Sequence, residues 1–181
     1  MLTAPAAIRL RCVNESPEAV VSTASLQAVL SQAGHTVATA ESLTGGGLGS
    51  LLSQAAGASE TYLGGVVAYA TSVKHGLLGV SDQTLAEHGA VSAECAAEMA
   101  SGVRVLLDAD YAVSTTGVAG PDTQEGKPVG TVFVGVAGPD GTSVKELHLD
   151  GDRAEIRARA CREAVNAALA VVGDWPGGGS G

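Results

Sequence analysis

Residues 36–57 read TVATAESLTGGGLGSLLSQAAG, and they contain the transition that decides the fold. The first five residues are small or β-branched, as in a short buried strand. Three glycines follow shortly after Ser42 and open a stretch of leucine and alanine that has the length of a short helix. A strand that turns through glycines into a helix is typical of a layered α/β domain.

The rest of the chain continues this alternation of helices and strands. Residues 62–70 predict a second strand, and residues 129–151 predict a hairpin that turns at Pro139-Asp140-Gly141. Further helices are predicted over 16–34, 72–79, 81–89, 92–110 (with Ser92 as N-cap) and 152–173, and a third strand begins at residue 111. This pattern predicts one α/β domain with a mixed sheet over residues 17–173, between a flexible arm (1–16) and a flexible tail (174–181).

The composition argues against several classes of function. A net charge of −9 and a pI of about 4.7 argue against a nucleic-acid surface, which is normally basic. No apolar run approaches the ~20 residues of a membrane span, and the N-terminus lacks the apolar region of a signal peptide. The four histidines have no metal-ligand spacing. We therefore predict a cytoplasmic protein without metal or cofactor, whose three separated cysteines are reduced thiols: Cys12, Cys95 and Cys161.

The turn at Ser42 has two interpretations. Glycines at the start of a helix leave backbone N–H groups pointing outward, which can bind a phosphate or a developing oxyanion. Alternatively, Ser42 or Thr44 is simply the N-cap and the glycines allow close packing. The turn alone leaves both interpretations open.

A serine becomes a strong nucleophile only when a base removes its proton. The chain has three lysines. Lys127 lies in a polar loop, and Lys145 lies on the predicted hairpin. Lys74 instead follows an apolar strand, five residues after Tyr69, among small and aliphatic residues. Burial in such a setting lowers the pKa of a lysine and leaves a neutral amine that can act as a base. A lysine in a short helix is otherwise commonly exposed.

A third turn, residues 114–122, carries three hydroxyls followed by Gly117, Gly120 and Pro121. It predicts either a simple connection between strands or a wall of hydroxyl and backbone donors for a polar substrate.

Six stretches in order along residues 18–172 resemble the CinA C-terminal domain family, whose standalone members are PncC-type nicotinamide mononucleotide amidohydrolases. They are TAESLTGG (39–46), VVAYATSVKHGLLGV (66–80), LxxHGAVS (85–92), TGVAGPD (116–122), KPVGTVFVGV (127–136) and GDR (151–153).

The resemblance implies a three-layer α/β/α sandwich with a mixed, mostly parallel central sheet. It also implies metal-independent hydrolysis of the carboxamide of nicotinamide mononucleotide in pyridine nucleotide salvage. It assigns Ser42 as nucleophile, Lys74 as general base and Tyr69 as an active-site tyrosine. The substrate-binding residues that we predict are Thr44, Gly45, Gly46, Thr116, Gly117, Gly120 and Arg153. Of these, we predict that the backbone N–H groups of the Thr44–Gly46 turn bind the oxyanion and that Arg153 binds the phosphate. Lys127 is the second choice for the phosphate.

Two departures from the family pattern are visible. Leu43 stands where many relatives have cysteine, and the loop PDTQEGKPVG replaces a glycine-rich form, so substrate contacts from Asp122 to Lys127 stay open. We also predict a homo-oligomer, with a dimer favoured because the alanine-rich helices offer packing surfaces. The competing functions are a non-catalytic nucleotide-binding or regulatory module and a protein-interaction subunit.

Overall fold

The computed structural model of the chain describes residues 17–173. They form a five-stranded mixed sheet with helices on both faces, so the predicted α/β/α fold is confirmed. The elements are α1 (Pro17–Ala33), β1 (Val37–Glu41), α2 (Gly47–Ser53), α3 (Ala58–Thr61), β2 (Tyr62–Val67), α4 (Thr71–Leu78), α5 (Asp82–Glu87), α6 (Ala93–Leu106), β3 (Tyr111–Gly117), β4 (Thr131–Gly138), β5 (Gly141–His148) and α7 (Arg153–Gly173). The predicted arm (1–16) and tail (174–181) lie outside the described residues.

The sheet has the strand order β2-β1-β3-β4-β5. The pairs of β1 with β2 and with β3 are parallel, whereas the pairs of β4 with β3 and with β5 are antiparallel. Four of the five strands therefore run in one direction, in agreement with the predicted mostly parallel sheet. Only half of the strand pairings are parallel, because β4 is antiparallel to both of its neighbours. The carboxyl ends of β1, β2 and β3 consequently meet at one edge of the sheet, which is where α/β proteins place their sites.

Alternate residues of the central strands face opposite helical layers, as the two-residue period of a strand requires. Val37 and Val113 belong to the core under α1, α2 and α7. Ala38 and Ala112 face the other layer, in a core that includes Met99 of α6. Small side chains on that face let α6 approach the sheet closely, which explains how a core with few aromatic residues can be well packed.

Two element boundaries affect the site. Strand β2 ends at Val67, three residues before the predicted end, so Tyr69 lies beyond the sheet. Helix α6 begins as predicted, because the Ser92 hydroxyl oxygen accepts a hydrogen bond from the Cys95 N–H at 3.1 Å. Helix α3 was not predicted from the sequence.

Helices α4 and α6 meet at Gly102. A Cβ atom on Gly102 would collide with the backbone carbonyl oxygen of Leu78 at the end of α4. Because α4 also carries Lys74, this contact sets where the lysine lies relative to the sheet.

We expect Gly102→Ala to destabilise the protein by about 1–3 kcal/mol, because backbone must move to accommodate the methyl group. Gly76→Ala in α4 is the matched control, since a Cβ there meets no atom within 4 Å. The control should stabilise the helix by about 0.5–1 kcal/mol, as alanine has the higher helix propensity. Urea denaturation of both variants checks this. Equal stability of the two would contradict the close α4–α6 contact.

Candidate active site

One cavity lies at the carboxyl edge of β1, β2 and β3. Its walls come from the ends of the strands, the turn after β3, helix α4 and the first residue of α7. The lining residues are Ser42, Leu43, Tyr69, Thr71, Lys74, Ala90, Val91, Thr116, Gly117, Val118, Ala119, Gly120, Asp122, Gln124 and Arg153. The structure thus brings together seven of the ten residues predicted for the site, while Thr44, Gly45 and Gly46 lie outside the lining.

Lys74 is buried, with only 2% of its surface exposed. Its Nζ lies 2.9 Å from Ser42 Oγ, 2.7 Å from the Ala68 carbonyl oxygen and 3.4 Å from that of Tyr69. No carboxylate within residues 17–173 lies within ion-pair distance of this amine. The base predicted from the sequence and the predicted nucleophile are therefore in direct contact.

Burial lowers the pKa of Lys74 from its ordinary 10.5, because a charged amine loses its hydration there. Cys95 and Glu125 oppose this shift as sources of negative charge. The opposition from Cys95 is weak at neutral pH, because burial raises the pKa of its thiol to about 11 and the thiol stays neutral. Burial outweighs these charges, so the Lys74 amine is neutral more often in the protein than a lysine amine in water.

Ser42 follows directly after β1, and its backbone N–H donates to the Thr115 carbonyl oxygen at 2.9 Å. The next hydroxyl along the chain, that of Thr44, is buried and lies 2.7 Å from the hydroxyl of Thr115. The Thr44 side chain therefore points into the protein, and Thr44 does not line the cavity. Its backbone N–H donates to no acceptor within residues 17–173, so the predicted role of that N–H as an oxyanion donor stays a prediction.

The glycine turn is not an open anion site. The Gly45 N–H donates to the Ser42 carbonyl oxygen at 3.1 Å, and the Gly46 N–H donates to the Glu41 carboxylate at 2.9 Å. That carboxylate also accepts from the N–H groups of Leu48 at 3.0 Å and Gly49 at 2.7 Å. Glu41 thus occupies the positive end of α2, and the predicted roles of Gly45 and Gly46 as substrate donors are wrong for this arrangement.

The turn after β3 forms the opposite wall. The buried Thr116 hydroxyl donates to the Ala90 carbonyl oxygen at 2.6 Å, so its single proton is already used. It can still offer lone pairs to a donor on a substrate. Gly117 and Gly120 line the cavity with backbone, and the φ of 86° at Gly120 favours glycine.

Arg153 and Tyr69 meet at the exposed mouth of the cavity. The guanidinium of Arg153 donates to the Tyr69 hydroxyl at 2.9 Å and also to the Gly120 carbonyl oxygen. Within the described residues Arg153 has no carboxylate within ion-pair distance, so its charge is available to an anion. Tyr69 is 60% exposed, and within residues 17–173 its phenol bonds to Arg153 and not to Lys74 or Ser42.

The loop that departs from the family pattern contributes Asp122 and Gln124 to the lining, whereas Lys127 is not part of it. Glu125 adopts a left-handed φ of 51° and its carboxylate accepts from the Val91 N–H at 2.9 Å. This bond ties the loop to the start of the α6 region.

Sequence reasoning missed two residues near the site. Glu41 ends β1 and immediately precedes Ser42, shortly before α2 begins at Gly47. An acidic residue just before a helix is favoured by the helix dipole, and that position was a usable signal. Arg157 lies four residues after Arg153 on one face of α7, and it donates to the carbonyl oxygens of Leu43 and Thr44. Only the fold brings it to the serine turn, across more than 100 residues of chain.

Residues 17–173 contain no group of three metal-ligating side chains arranged to hold a metal ion. In the same range the structure has no helix with the length and apolar character needed to cross a bilayer. Cys95 and Cys161 are buried thiols, while Cys12 lies outside the described residues.

The sequence and the fold both resemble known proteins. The sequence model of the CinA C-terminal domain family matches residues 21–172 of this chain. A CinA-like protein from Frankia casuarinae is 49% identical over 148 residues, which is 82% of this chain and 34% of the relative. A putative competence-damage inducible protein from Bacillus pumilus is 50% identical over 74% of this chain and 32% of its own length. The chain thus spans about a third of these curated relatives.

Among solved structures, a competence-damaged protein (CinA) superfamily protein from Klebsiella pneumoniae superposes with a TM-score of 0.84 at 34% identity. That match covers 87% of this chain and 99% of the other chain.

Proposed function

The chain belongs to the CinA C-terminal domain family, and on this premise we propose that it deamidates nicotinamide mononucleotide to nicotinate mononucleotide and ammonia. The observation that carries the proposal is the buried amine of Lys74, 2.9 Å from the Ser42 hydroxyl. An amine kept out of water next to one hydroxyl is the arrangement that lysine-activated serine chemistry needs.

The hydrogen bonds at Lys74 Nζ support the role of base. A neutral amine has two N–H donors and one lone pair. Two of its three neighbours, the carbonyl oxygens of Ala68 and Tyr69, can only accept hydrogen bonds. The lone pair is then left for the one neighbour that can donate, the Ser42 hydroxyl.

In the proposed reaction, Lys74 takes the Ser42 proton while Ser42 Oγ bonds to the carboxamide carbon. The tetrahedral intermediate collapses as the C–N bond breaks, and the Lys74 ammonium returns its proton to the leaving nitrogen, which departs as ammonia. Water then attacks the acyl-enzyme and gives a proton to Lys74, the C–Oγ bond breaks, and Ser42 is reprotonated. General acid–base help of this kind supplies about 10²–10⁴-fold in rate.

The oxyanion needs a donor other than the glycine turn. We assign the backbone N–H of Leu43, because Leu43 lines the cavity and follows the nucleophile directly. Within residues 17–173 the N–H groups of Leu43 and Thr44 donate to no acceptor, in contrast to those of Gly45 and Gly46, and of the two residues Leu43 is the one that lines the cavity. In α/β-hydrolases the N–H of the residue after the nucleophilic serine is one of the oxyanion donors.

Arg153 is the proposed phosphate ligand. It lies at the mouth of the cavity, beyond the dyad, and its fixed guanidinium suits a phosphate. Lys127, the second choice from the sequence, does not line the cavity. A phosphate at the mouth would leave the pyridine carboxamide to reach inward toward Ser42.

Ammonia release from nicotinamide mononucleotide, run beside nicotinamide riboside and nicotinamide, tests the reaction and the phosphate together. We expect turnover of the mononucleotide, unaffected by EDTA, and little turnover of the other two. Arg153→Gln should raise KM for the mononucleotide by about 10- to 100-fold, since a charge-assisted bond is lost. Lys127→Gln is the matched control and should change KM by less than about 3-fold. A larger increase in KM for Lys127→Gln than for Arg153→Gln would assign phosphate binding to Lys127.

The alternative is a nucleotide-binding module without turnover. Calorimetric binding of the mononucleotide with no ammonia released would favour that module and refute the amidohydrolase.

A further inference from the structure

Arg157 reaches the serine turn from the opposite side to Lys74. It is half-buried on α7, and its Nε and Nη2 donate to the carbonyl oxygens of Leu43 at 2.9 Å and Thr44 at 2.7 Å. Within residues 17–173 no carboxylate lies within ion-pair distance of Arg157. Its charge is therefore directed at two backbone dipoles of the turn that begins with the nucleophile.

These two hydrogen bonds fix the orientation of whole peptide groups and not only of their oxygen atoms. A peptide group is planar and trans, so a held carbonyl also fixes the N–H on its other side. Binding the oxygens of Leu43 and Thr44 therefore sets the two peptide planes that follow directly after the Ser42–Leu43 peptide. The Glu41 carboxylate holds N–H groups of the same segment at Gly46 and Leu48. The turn is thus held by an anion on its donors and a cation on its acceptors.

Gly45 fits this arrangement in two ways. Its φ of 58° is in the left-handed region, which favours glycine. A Cβ at this position would also lie 3.2 Å from Arg157 Nη2, tighter than an ordinary contact. At least one glycine of the sequence motif is therefore explained by the approach of the arginine, not by an anion.

We infer that Arg157 is a positioning residue, which holds the Ser42 hydroxyl within reach of the Lys74 amine without touching the substrate. The inference rests on the proposed function of that pair. Arg157 does not line the cavity, so its loss should lower kcat and leave KM nearly unchanged. A displacement of about 1 Å at a reacting group costs up to about 10²-fold, so we expect kcat to fall by about 10- to 100-fold.

The test compares Arg157→Gln and Arg157→Lys with Arg159→Gln. Arg159 is an exposed arginine of the same helix that also donates to a backbone carbonyl, that of Asp150, away from the cavity. Two rates are measured for each variant, namely ammonia release and covalent modification of Ser42 by a fluorophosphonate. The second rate reports nucleophile position whatever the natural substrate is. Circular dichroism and urea midpoints compare folding.

We expect Arg157→Gln to slow both rates with KM within about 3-fold of wild type. Arg157→Lys, which keeps the charge and one donor, should be intermediate, and Arg159→Gln should match wild type. If Arg157→Gln does not fold, Arg157→Lys provides the comparison. Wild-type rates of fluorophosphonate labelling in folded Arg157 variants, or a change confined to KM, would overturn the positioning role alone. A wild-type protein that is not labelled at Ser42 would instead refute the proposed dyad.

Discussion

Ser42→Ala should lower ammonia release from nicotinamide mononucleotide by at least about 10³-fold while the protein stays folded. In the proposed reaction the hydroxyl oxygen bonds to the carboxamide carbon, and no other hydroxyl lies against the buried amine of Lys74 within residues 17–173. Loss of this small side chain removes one hydrogen bond at the edge of the cavity, so the urea midpoint should change little. Steady-state ammonia release and urea denaturation measure the two effects.

Ser53→Ala is the matched control for this variant. Ser53 is exposed at the end of α2, and its hydroxyl donates to the carbonyl oxygen of Ser50, one turn earlier, at 2.9 Å. Its replacement should leave turnover within about 2-fold of wild type. Turnover by Ser42→Ala within 10-fold of wild type, at equal stability, would contradict a serine nucleophile.

Lys74→Met should reduce turnover by a similar factor, because the apolar side chain fills the space but cannot take a proton. Combining it with Ser42→Ala should cost little more than either change alone, as expected for two residues that act as one unit. The control is Lys145→Met, which removes an exposed lysine whose ammonium lies 2.9 Å from Glu163. That control should retain turnover, and comparable losses in the two lysine variants would contradict the special role of Lys74.

The same variant also has a signature in stability. The folded-state pKa of Lys74 lies below the 10.5 of an unfolded chain. Between the two values the unfolded protein binds one more proton, so the free energy of unfolding of the wild type rises with pH across that window. Lys74→Met has no amine to titrate at this position. The wild type should therefore gain stability relative to Lys74→Met as the pH rises toward 10.5. A constant difference would contradict the lowered pKa.

Local signals in the sequence predicted most of the fold. The alternation around residues 36–57 and the hairpin at Pro139 predict the layers and the mixed sheet, because each element has its own period and its own turn residues. The early end of β2 could not be predicted, since it depends on pairing with β1, which ends at Glu41. That boundary matters because the residues just beyond it, Ala68 and Tyr69, provide the two carbonyl oxygens that accept hydrogen bonds from the Lys74 amine.

The candidate site could be predicted from the sequence only in part. The burial of Lys74 could be predicted, because small and aliphatic residues lie on either side of it in the sequence. The glycines after Ser42 are compatible from sequence with an anion site or with close packing at a helix start, and the resemblance favours the anion site. In the structure the Glu41 carboxylate occupies the N–H donors of Gly46 and Leu48. An acidic residue shortly before a helix is a signal for such a contact, but a linear pattern does not show which N–H groups it reaches. The turn between β1 and α2 brings the Glu41 carboxylate to those of Gly46 and Leu48. Arg157 could not be found either, since it contacts Leu43 only through the packing of α7 on the sheet.

The central claim, a Lys74 amine that loses its proton more readily than an ordinary lysine, is tested most directly by an NMR titration of lysine labelled at Cε. The chain has only three lysines, so three signals are expected, and Lys74→Met assigns the one that matters. We expect the Lys74 signal to titrate below the ordinary 10.5, because burial disfavours its charged form. A Lys74 signal that titrates at or above 10.5 would contradict the central claim.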